Sequence, residues 1–143
     1  MKNMFEKMDN MIIWELSQAQ VEWDISFVAR IDTWAQTTSI HAENIEIENA
    51  EKKQKDNIWK NISFSVINNN WEKEIFTKKI EDVRNVKTSE GNELRYYIMM
   101  DITAWNKTKS VLVNLNDREE MNYKLLLGRN FLEKDFLIQI SEQ

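Results

Sequence analysis

Short apolar runs and alternating apolar and polar positions, separated by polar turns, dominate the chain. Such a pattern is typical of β-strands and predicts a mainly β fold. The predicted strands span residues 11–16, 25–31, 39–47, 58–67, 74–80, 83–87, 93–104, 110–115, 124–127 and 136–140.

Polar clusters separate these strands, and one short helix is predicted near the C-terminus. Turns and loops are expected at residues 48–57, 68–71, 88–92 and 104–107. The helix is predicted from Arg129 to about Lys134, directly after Gly128, with Phe131 and Leu132 facing inward.

Length and composition limit the domain count and the class of partner. A chain of 143 residues makes one domain, which we assign to residues 11–143, with residues 1–10 as a polar N-terminal tail. The net charge is −5, with acidic and basic residues mixed along the chain. Because no long basic stripe is present, we expect no nucleic acid partner. The absence of cysteine excludes disulfides and thiolate metal sites.

The apolar runs are too short for a membrane or secretion signal. No run approaches the length of a membrane span, and residues 11–13 are too few for the apolar region of a signal peptide. We therefore expect a cytoplasmic protein with no membrane contact.

Glycine and tryptophan occur in unusual numbers. The chain has two glycines, Gly91 and Gly128, and six tryptophans, with no proline. Average usage of about 7% predicts about ten glycines in a chain of this length. The shortage matters because tight turns normally depend on glycine.

The first segment with candidate chemistry is the turn after the predicted strand 25–31. It reads Asp32-Thr33-Trp34-Ala35, and Asp32 is the candidate catalytic carboxylate. Aspartic proteolysis needs two carboxylates that share one proton and one water, and like charges at that separation cannot both ionise. The structural alternative is an ordinary turn or helix cap, the usual role of an Asp-Thr pair.

A second segment about ninety residues later makes a catalytic role of Asp32 more plausible than an ordinary turn. An apolar strand, Leu125-Leu126-Leu127, runs into Gly128-Arg129-Asn130 and a short helix. An apolar strand ending in Asp-Thr-x-Ala, followed by this strand, turn and helix, resembles the two halves of a retropepsin-type aspartic protease subunit. The resemblance implies a closed retropepsin-like (acid protease) barrel with one short C-terminal helix.

The chain is most similar to a bacterial branch of that family, whose members are often named ATP-dependent zinc proteases. The shared motifs are Thr-Ser-x-His-Ala at residues 38–42, Val-Lys-x-Ser-x-Gly at 86–91 followed by Arg95, and Asp-Arg-x-x-Met-x-Tyr at 117–123. With the catalytic turn they make four ordered motifs, and the resemblance covers about residues 11–140.

The resemblance implies a homodimer that cleaves a peptide or protein substrate. One turn supplies one carboxylate, so a dyad needs Asp32 from each of two subunits at a two-fold axis. The family pattern implies that Thr33 hydrogen-bonds across the axis and that the small Ala35 permits close approach. It also implies that Gly128 and Arg129 brace the catalytic turn.

The sequence contains neither the ligands of a zinc site nor the loop of an ATP-binding site, although both appear in the name of this branch. A zinc site needs three or four His, Cys or carboxylate ligands at set spacings, and His41 is the only histidine. We therefore expect His41 to be structural and the protein to need no metal and no cofactor. No G-x-x-x-x-G-K-[ST] loop is present either, so any ATP requirement would belong to a partner enzyme.

The resemblance also offers a flap, the hairpin that closes over substrate in retropepsins. Its candidate residues are Thr88, Ser89, Glu90, Gly91 and Asn92. Gly91 and small neighbours suit a mobile lid, whereas the plain alternative is a surface hairpin. The turn at residues 68–71 is the rival flap.

Two arginines have open roles at this stage. Arg118 and Arg129 are each either a buried ion-pair member that supports the turn or a plain surface charge. The position of Arg129 next to Gly128 favours a supporting role.

Trp34 conflicts with the catalytic interpretation, because the family has glycine at that position. An indole in both copies would place bulk where the two backbones nearly touch, which favours an alternative: an inactive peptide-binding module that adds strands to an extended peptide. An oligonucleotide-binding barrel is a weaker third possibility, since no basic, aromatic groove is evident.

A different explanation is that several tryptophans are glycines translated under the wrong genetic code. UGA means glycine in some bacterial lineages and tryptophan in other codes. Trp14, Trp34, Trp71 and Trp105 each occupy a position suited to glycine, whereas Trp59 is a candidate core aromatic.

Overall fold

The structure is a computed structural model that describes residues 11–13, 16–133 and 136–138. Strands dominate it, as the alternating pattern predicts. The strands are β1 Met11–Ile13, β2 Leu16–Val21, β3 Ile25–Ile31, β4 Thr38–Ile47, β5 Asn61–Ile67, β6 Lys73–Lys79, β7 Asp82–Thr88, β8 Gly91–Ala104, β9 Lys107–Asn116, β10 Leu125–Leu127 and β11 Phe136–Ile138. A single turn of 3₁₀ helix covers Gln54–Asn57, and helix α1 covers Arg129–Leu132.

Six of the strands form a hydrogen-bonded ring. In order around it they are β10, β3, β2, β8, β9 and β4, and β4 pairs again with β10. The ring is not a strict barrel, because β10 contributes only three residues. β5 and β6 extend from β4, β7 pairs with β8, and β1 pairs separately with β11 in parallel. The expected mainly β fold with one short C-terminal helix is confirmed.

The core is one cluster of buried apolar residues from the ring strands, β5, the start of β7 and α1. β3 alternates strictly, with Ile25, Phe27, Ala29 and Ile31 buried and the residues between them exposed. Such alternation places every second side chain on the core face. A fully buried Leu, Ile or Phe contributes about 1.5–3 kcal/mol, so the ring is held chiefly by this apolar interior.

The observed elements follow the predicted ones closely, with a few differences. β3 has the predicted bounds. Strand β2 continues to Val21, beyond the predicted end at Leu16, because its inward positions are the small Ala19 and Val21 among polar residues, which weakens the apolar signal. The loop predicted at 48–57 contains the 3₁₀ turn.

Some predictions fall partly or wholly outside the described residues. These are the tail 1–10, Trp14, the end of the helix at Lys134 and the strand residues 139–140. Within the described residues, no helix combines the length and the apolar character that crossing a bilayer requires.

Four of the tryptophans adopt left-handed backbone conformations. They are Trp23 (φ 59°), Trp59 (φ 74°), Trp71 (φ 65°) and Trp105 (φ 51°). A left-handed residue with a Cβ costs about 1–2 kcal/mol. Four of them therefore cost about 4–8 kcal/mol, a large share of the roughly 5–15 kcal/mol by which whole domains are stable.

The interpretation of Trp59 as a core aromatic is wrong. Its side chain is 63% exposed, and the residue lies in the turn that leads into β5. Its amide donates to the carbonyl of Ile80, so the backbone at this position is structured while the indole contributes little to the core.

Candidate active site

The two turns that sequence motifs single out are adjacent in space. β3 and β10 run parallel, with Ile31 beside Leu127, so the residues that follow them emerge at the same edge of the sheet. The Asp32 amide donates to the Leu127 carbonyl at 3.0 Å. Asp32 and Gly128 therefore begin two neighbouring turns, as predicted.

Gly128 is required by the closeness of these turns. A Cβ at this position would lie 2.6 Å from the carbonyl carbon of Thr37, 2.7 Å from its oxygen and 3.0 Å from the Ala35 oxygen. All three neighbours are backbone atoms, which move only if the turn moves. Glycine at 128 thus permits the second turn to lie directly against the catalytic one.

The first residues of α1 hold the catalytic turn through the backbone. The Arg129 amide donates to the Ala35 carbonyl at 2.8 Å, and the Asn130 amide donates to the Gln36 carbonyl at 3.1 Å. The Arg129 side chain is exposed. Its contribution to bracing therefore comes from its main chain and not from its guanidinium.

Asn130 and Thr38 complete the brace, and sequence reasoning did not select either as a site residue. The Asn130 side-chain oxygen accepts from the Thr38 amide at 3.1 Å and from the Thr38 hydroxyl at 2.8 Å. The Thr38 hydroxyl in turn accepts from the Gly128 amide at 3.1 Å. Asn130 Nδ2 donates to the Leu112 carbonyl at 2.7 Å. In the sequence, the feature that could have pointed to Asn130 is its position in the Gly128-Arg129-Asn130 motif.

A second polar link ties the start of β4 to β9 and β8. The Ser39 hydroxyl donates to Asn114 Oδ1 at 2.7 Å, and Asn114 Nδ2 donates to the Thr38 carbonyl at 3.3 Å. Arg95 reaches the same Asn114 oxygen at 3.5 Å and pairs with Glu93 at 3.0 Å. Among the described residues, every buried side-chain polar atom has a partner.

Asp32 itself is half-buried, at the start of a turn whose next two residues are exposed. Its Oδ1 accepts a hydrogen bond from the amide of residue 34 at 2.9 Å, and the Ala35 amide donates to the Asp32 carbonyl at 3.3 Å. Thr33 is exposed, and Trp34 is 93% exposed. The turn is thus fixed on its inner side and open to a partner on its outer side.

Arginines lie around this carboxylate. Arg118 is half-buried, and its Nε donates to the Tyr123 carbonyl at 3.1 Å. Burial lowers the pKa of Arg118, the charge of Arg95 lowers it further, the charge of Asp32 raises it, and Arg30 lowers it again. Arg118 is therefore a partly buried cation within electrostatic reach of Asp32, with two more arginines nearby.

His41 supports the loop that carries Arg118. Its Nδ1 accepts from the Arg118 amide at 2.9 Å, and its Nε2 lies 2.6 Å from a Glu43 carboxylate oxygen. Because Nδ1 accepts, the neutral ring carries its proton on Nε2 and donates it to Glu43. Across the described part of the chain, no cluster of three or more His, Asp or Glu residues is arranged to hold a metal.

The predicted hairpin at residues 88–92 is present between β7 and β8. The ladder pairs Thr88 with Gly91 at its tip, Gly91 has a φ of 123°, and the Thr88 hydroxyl donates to the Gly91 carbonyl at 2.9 Å. A groove of about 550 Å³ separates this tip from the loop that contains Asp117.

The groove lies between the hairpin and Arg95, and carboxylates of Glu90, Glu93, Asp117 and Glu120 also border it. Its lining includes Thr88, Ser89, Glu90, Asn92 and Arg95. The rival hairpin, between β5 and β6, instead borders a separate groove of about 400 Å³ lined by residues such as Trp71 and Asn122.

Comparisons with known proteins agree with this geometry. The family model described as RimB-like, "Retropepsin-like aspartic endopeptidase RimB", matches residues 16–143. The chain belongs to the RimB-like family. The Asp32 turn and the Gly128 turn that braces it both lie inside the matched region.

Curated relatives of this RimB-like chain have a different name. A protein of Shewanella pealeana named "Probable alpha-L-glutamate ligase" is 34% identical over 118 residues, which cover 80% of this chain and 24% of that protein. A protein of the same name from Desulfotalea psychrophila is 29% identical over 114 residues, covering 77% and 23%. The chain thus spans about a quarter of the length of these relatives.

A solved structure supports the fold over nearly the whole chain. The protein Lpg0085 of Legionella pneumophila, described as of unknown function (DUF785), superposes with a TM-score of 0.72 at 25% identity. The match covers 94% of this RimB-like chain and 96% of that chain.

Proposed function

We propose that this chain is one subunit of a homodimeric aspartic endopeptidase. The observation that carries the proposal is the half-buried Asp32 carboxylate on a turn that Gly128 and Asn130 brace from behind. A catalytic carboxylate has to be held still by its own subunit while it remains open to substrate and to a second carboxylate. The brace supports the first requirement, and the second would be met once the Trp34 side chain is absent from the exposed face of the turn.

In the dimer, Asp32 of each subunit would meet at the two-fold axis and share one proton. The ionised carboxylate takes a proton from a water molecule as that water attacks the scissile carbonyl carbon. The protonated carboxylate donates its proton to the carbonyl oxygen, giving a neutral tetrahedral diol. Proton transfer to the leaving nitrogen and collapse of the diol then break the peptide bond.

The amide of residue 34 has a definite part in this arrangement. It donates to Asp32 Oδ1 at 2.9 Å and so fixes the orientation of the carboxylate. Thr33, exposed beside it, is placed to hydrogen-bond with the other subunit. Both groups lie on the face that a partner turn would have to cover.

The charge around the site favours an acidic peptide substrate. Burial and the charges of Arg95 and Arg30 lower the pKa of Arg118, and the charge of Asp32 raises it. Unlike Arg30, which is exposed, Arg118 and Arg95 are partly buried, and a substrate carboxylate would relieve their mutual repulsion. Relatives that carry this segment are named glutamate ligases, which supports a glutamate-containing substrate.

The β7–β8 hairpin would act as the flap over this substrate. Its tip and the Asp117 loop enclose the 550 Å³ groove that contains Arg95. An extended peptide lying in this groove would pass beneath the hairpin, and closure would exclude water from the cleaved bond.

The relatives also suggest a partner. A ligase forms amide bonds and a peptidase breaks them, so the two activities would act on the same substrate in opposite directions. Amide synthesis in water needs an activated co-substrate such as ATP, and we propose that any ATP dependence belongs to such a partner enzyme.

One observation favours a second candidate function, an inactive peptide-binding module. Trp34 projects from the catalytic turn with 93% of its surface exposed. In a symmetric dimer two such indoles would occupy the axis where the carboxylates must meet. With Trp34 in place, the groove could bind an acidic peptide without cleaving it.

Peptide cleavage by the Trp34→Gly protein tests the proposal. We expect cleavage of a glutamate-rich peptide, inhibition by a pepstatin-type inhibitor and no effect of a metal chelator. Loss of activity with the chelator, or resistance to the inhibitor, would contradict an aspartic mechanism. Tight peptide binding without cleavage would favour the binding module.

The substrate class is tested separately with Arg118→Gln in the same background. This variant should raise KM for the glutamate-rich peptide about 10- to 150-fold, since a hydrogen bond to a charged group contributes about 1.5–3 kcal/mol. Arg129→Gln is the matched control, because it removes one exposed positive charge near the same turn. Equal effects of the two variants would contradict a specific carboxylate contact.

A further inference from the structure

The tryptophans within the described residues fall into two groups by backbone conformation. Trp23, Trp59, Trp71 and Trp105 have φ between 51° and 74°. Trp34 is not left-handed, but it occupies the third position of the catalytic turn. Bulky residues are true outliers in the left-handed region, whereas glycine enters it freely.

Each left-handed tryptophan stands at a turn position of a kind that glycine usually fills. Trp105 and Asn106 form the two-residue loop between β8 and β9, and both have positive φ. Hairpin loops of this kind favour Gly and Asn at these positions. Trp71 follows Asn70 in the β5–β6 turn, and Trp23 lies in the turn between β2 and β3.

Packing does not compensate for the conformation at three of these positions. Trp23, Trp59 and Trp71 are 62%, 63% and 84% exposed. Trp105 differs, since its side chain is half-buried against the core. An aromatic side chain that is retained for its own sake is normally buried or engaged with a ligand.

From these positions we infer that residues 23, 34, 59, 71 and 105 are glycine in the protein that its native cell makes, because the gene is read in a code in which UGA specifies glycine. The change would raise the glycine count from two to seven, nearer to the about ten expected from average usage. The four left-handed positions carry the inference by themselves.

The assignment at position 34 rests on the proposed function and deepens it. Glycine there keeps the amide that donates to Asp32 Oδ1 and removes the side chain from the face where the second turn must lie. The one chemical change that the catalytic turn needs is thus the change that the four other turns indicate independently.

Peptide masses of the protein purified from its native cells test the inference, together with the coding DNA. We expect UGA codons and glycine masses at all five positions. A tryptophan mass, or a UGG codon, at any of them would overturn the inference as stated. If glycine is found and the protein still cleaves no peptide, the proposed function fails while the inference stands.

Recombinant variants give a second readout that does not depend on activity. Trp71→Gly should raise Tm by about 2–4 °C, because it relieves left-handed strain. Trp34→Gly, measured at a concentration where the protein is monomeric, is the matched control: it also removes an exposed indole, but its backbone is not left-handed, so it should not raise Tm. A lower Tm for Trp71→Gly would contradict the inference.

Discussion

The inner and outer halves of the catalytic turn differ in how completely one chain builds them. On the inner half, Gly128 lies so close to Thr37 that a Cβ would come within 2.6 Å of it, and buried Thr38 and half-buried Asn130 are fully hydrogen-bonded. On the outer half, Thr33 is exposed and Trp34 is 93% exposed.

This difference indicates which part of the site a single subunit can supply. The inner half depends only on contacts within the chain, so it should respond to mutation through stability. The exposed side chains of the outer half make few such contacts, so changing them should affect dimer formation and catalysis more than the stability of the folded monomer. Variants on the two sides should therefore separate stability from activity.

The largest effect is expected at the outer half, from Asp32→Asn in the Trp34→Gly background. Asparagine keeps the shape of the side chain but cannot accept a proton from water. Peptidase activity should fall by at least about 10³-fold, within the range of general acid–base catalysis, while Tm is nearly unchanged. Residual turnover above one per cent of the parent would contradict the role of Asp32.

On the inner half, Gly128→Ala should give the largest loss of stability. The new methyl group meets backbone atoms of Thr37 and Ala35 at 2.6–3.0 Å, and overpacking of this kind costs about 1–3 kcal/mol. Urea unfolding measures the change. Ser89→Ala, at the exposed hairpin tip, is the control and should unfold with the parent. A Gly128→Ala protein as stable as the parent would show that the turns are not tightly apposed.

Two threonines five residues apart provide the sharpest comparison of the halves. Thr38→Val removes a buried hydroxyl that accepts from the Gly128 amide and donates to Asn130. Unsatisfied buried partners should lower the free energy of unfolding by about 1–3 kcal/mol. In the Trp34→Gly background, Thr33→Val should leave monomer stability unchanged and weaken the dimer, as sedimentation equilibrium would measure. Equal stability losses in both variants would contradict the division into halves.

A smaller, pH-dependent effect is expected at the start of β7, the first strand of the β7–β8 hairpin. The hydrogen bond from Arg84 lowers the pKa of the Asp82 carboxyl below its ordinary value of 3.8. A lowered pKa in the folded state means that this pair stabilises the protein above about pH 3.8, and that the stabilisation is lost as pH falls through the folded-state value.

Asp82→Asn should therefore lower stability at neutral pH by about 0.2–1 kcal/mol, since the pair is partly exposed. The difference from the parent should vanish in acid, as thermal unfolding at a series of pH values would record. A difference that is constant with pH would assign the effect to packing.

The fold was predictable because its signals are local. Strict alternation in β3 and the run of three leucines in β10 predict both strands. The Asp-Thr and Gly-Arg-Asn motifs that follow these strands predict two neighbouring turns. The partners of Thr38 and Asn114 were not predictable, since these contacts join residues 75 to 92 positions apart. The exposure of Trp59 was hidden because an apolar residue beside a strand resembles core until its φ is known.

Mixed dimers test the central claim, that one active site needs Asp32 from two subunits. Trp34→Gly chains would be mixed with equal amounts of chains that carry both Trp34→Gly and Asp32→Asn, and allowed to exchange subunits. If both carboxylates are required, activity should be about one quarter of that of Trp34→Gly chains alone at the same total concentration. The reason is that only one dimer in four then contains two intact chains. If activity instead falls to about one half, each subunit would act alone, and the shared catalytic dyad would be contradicted.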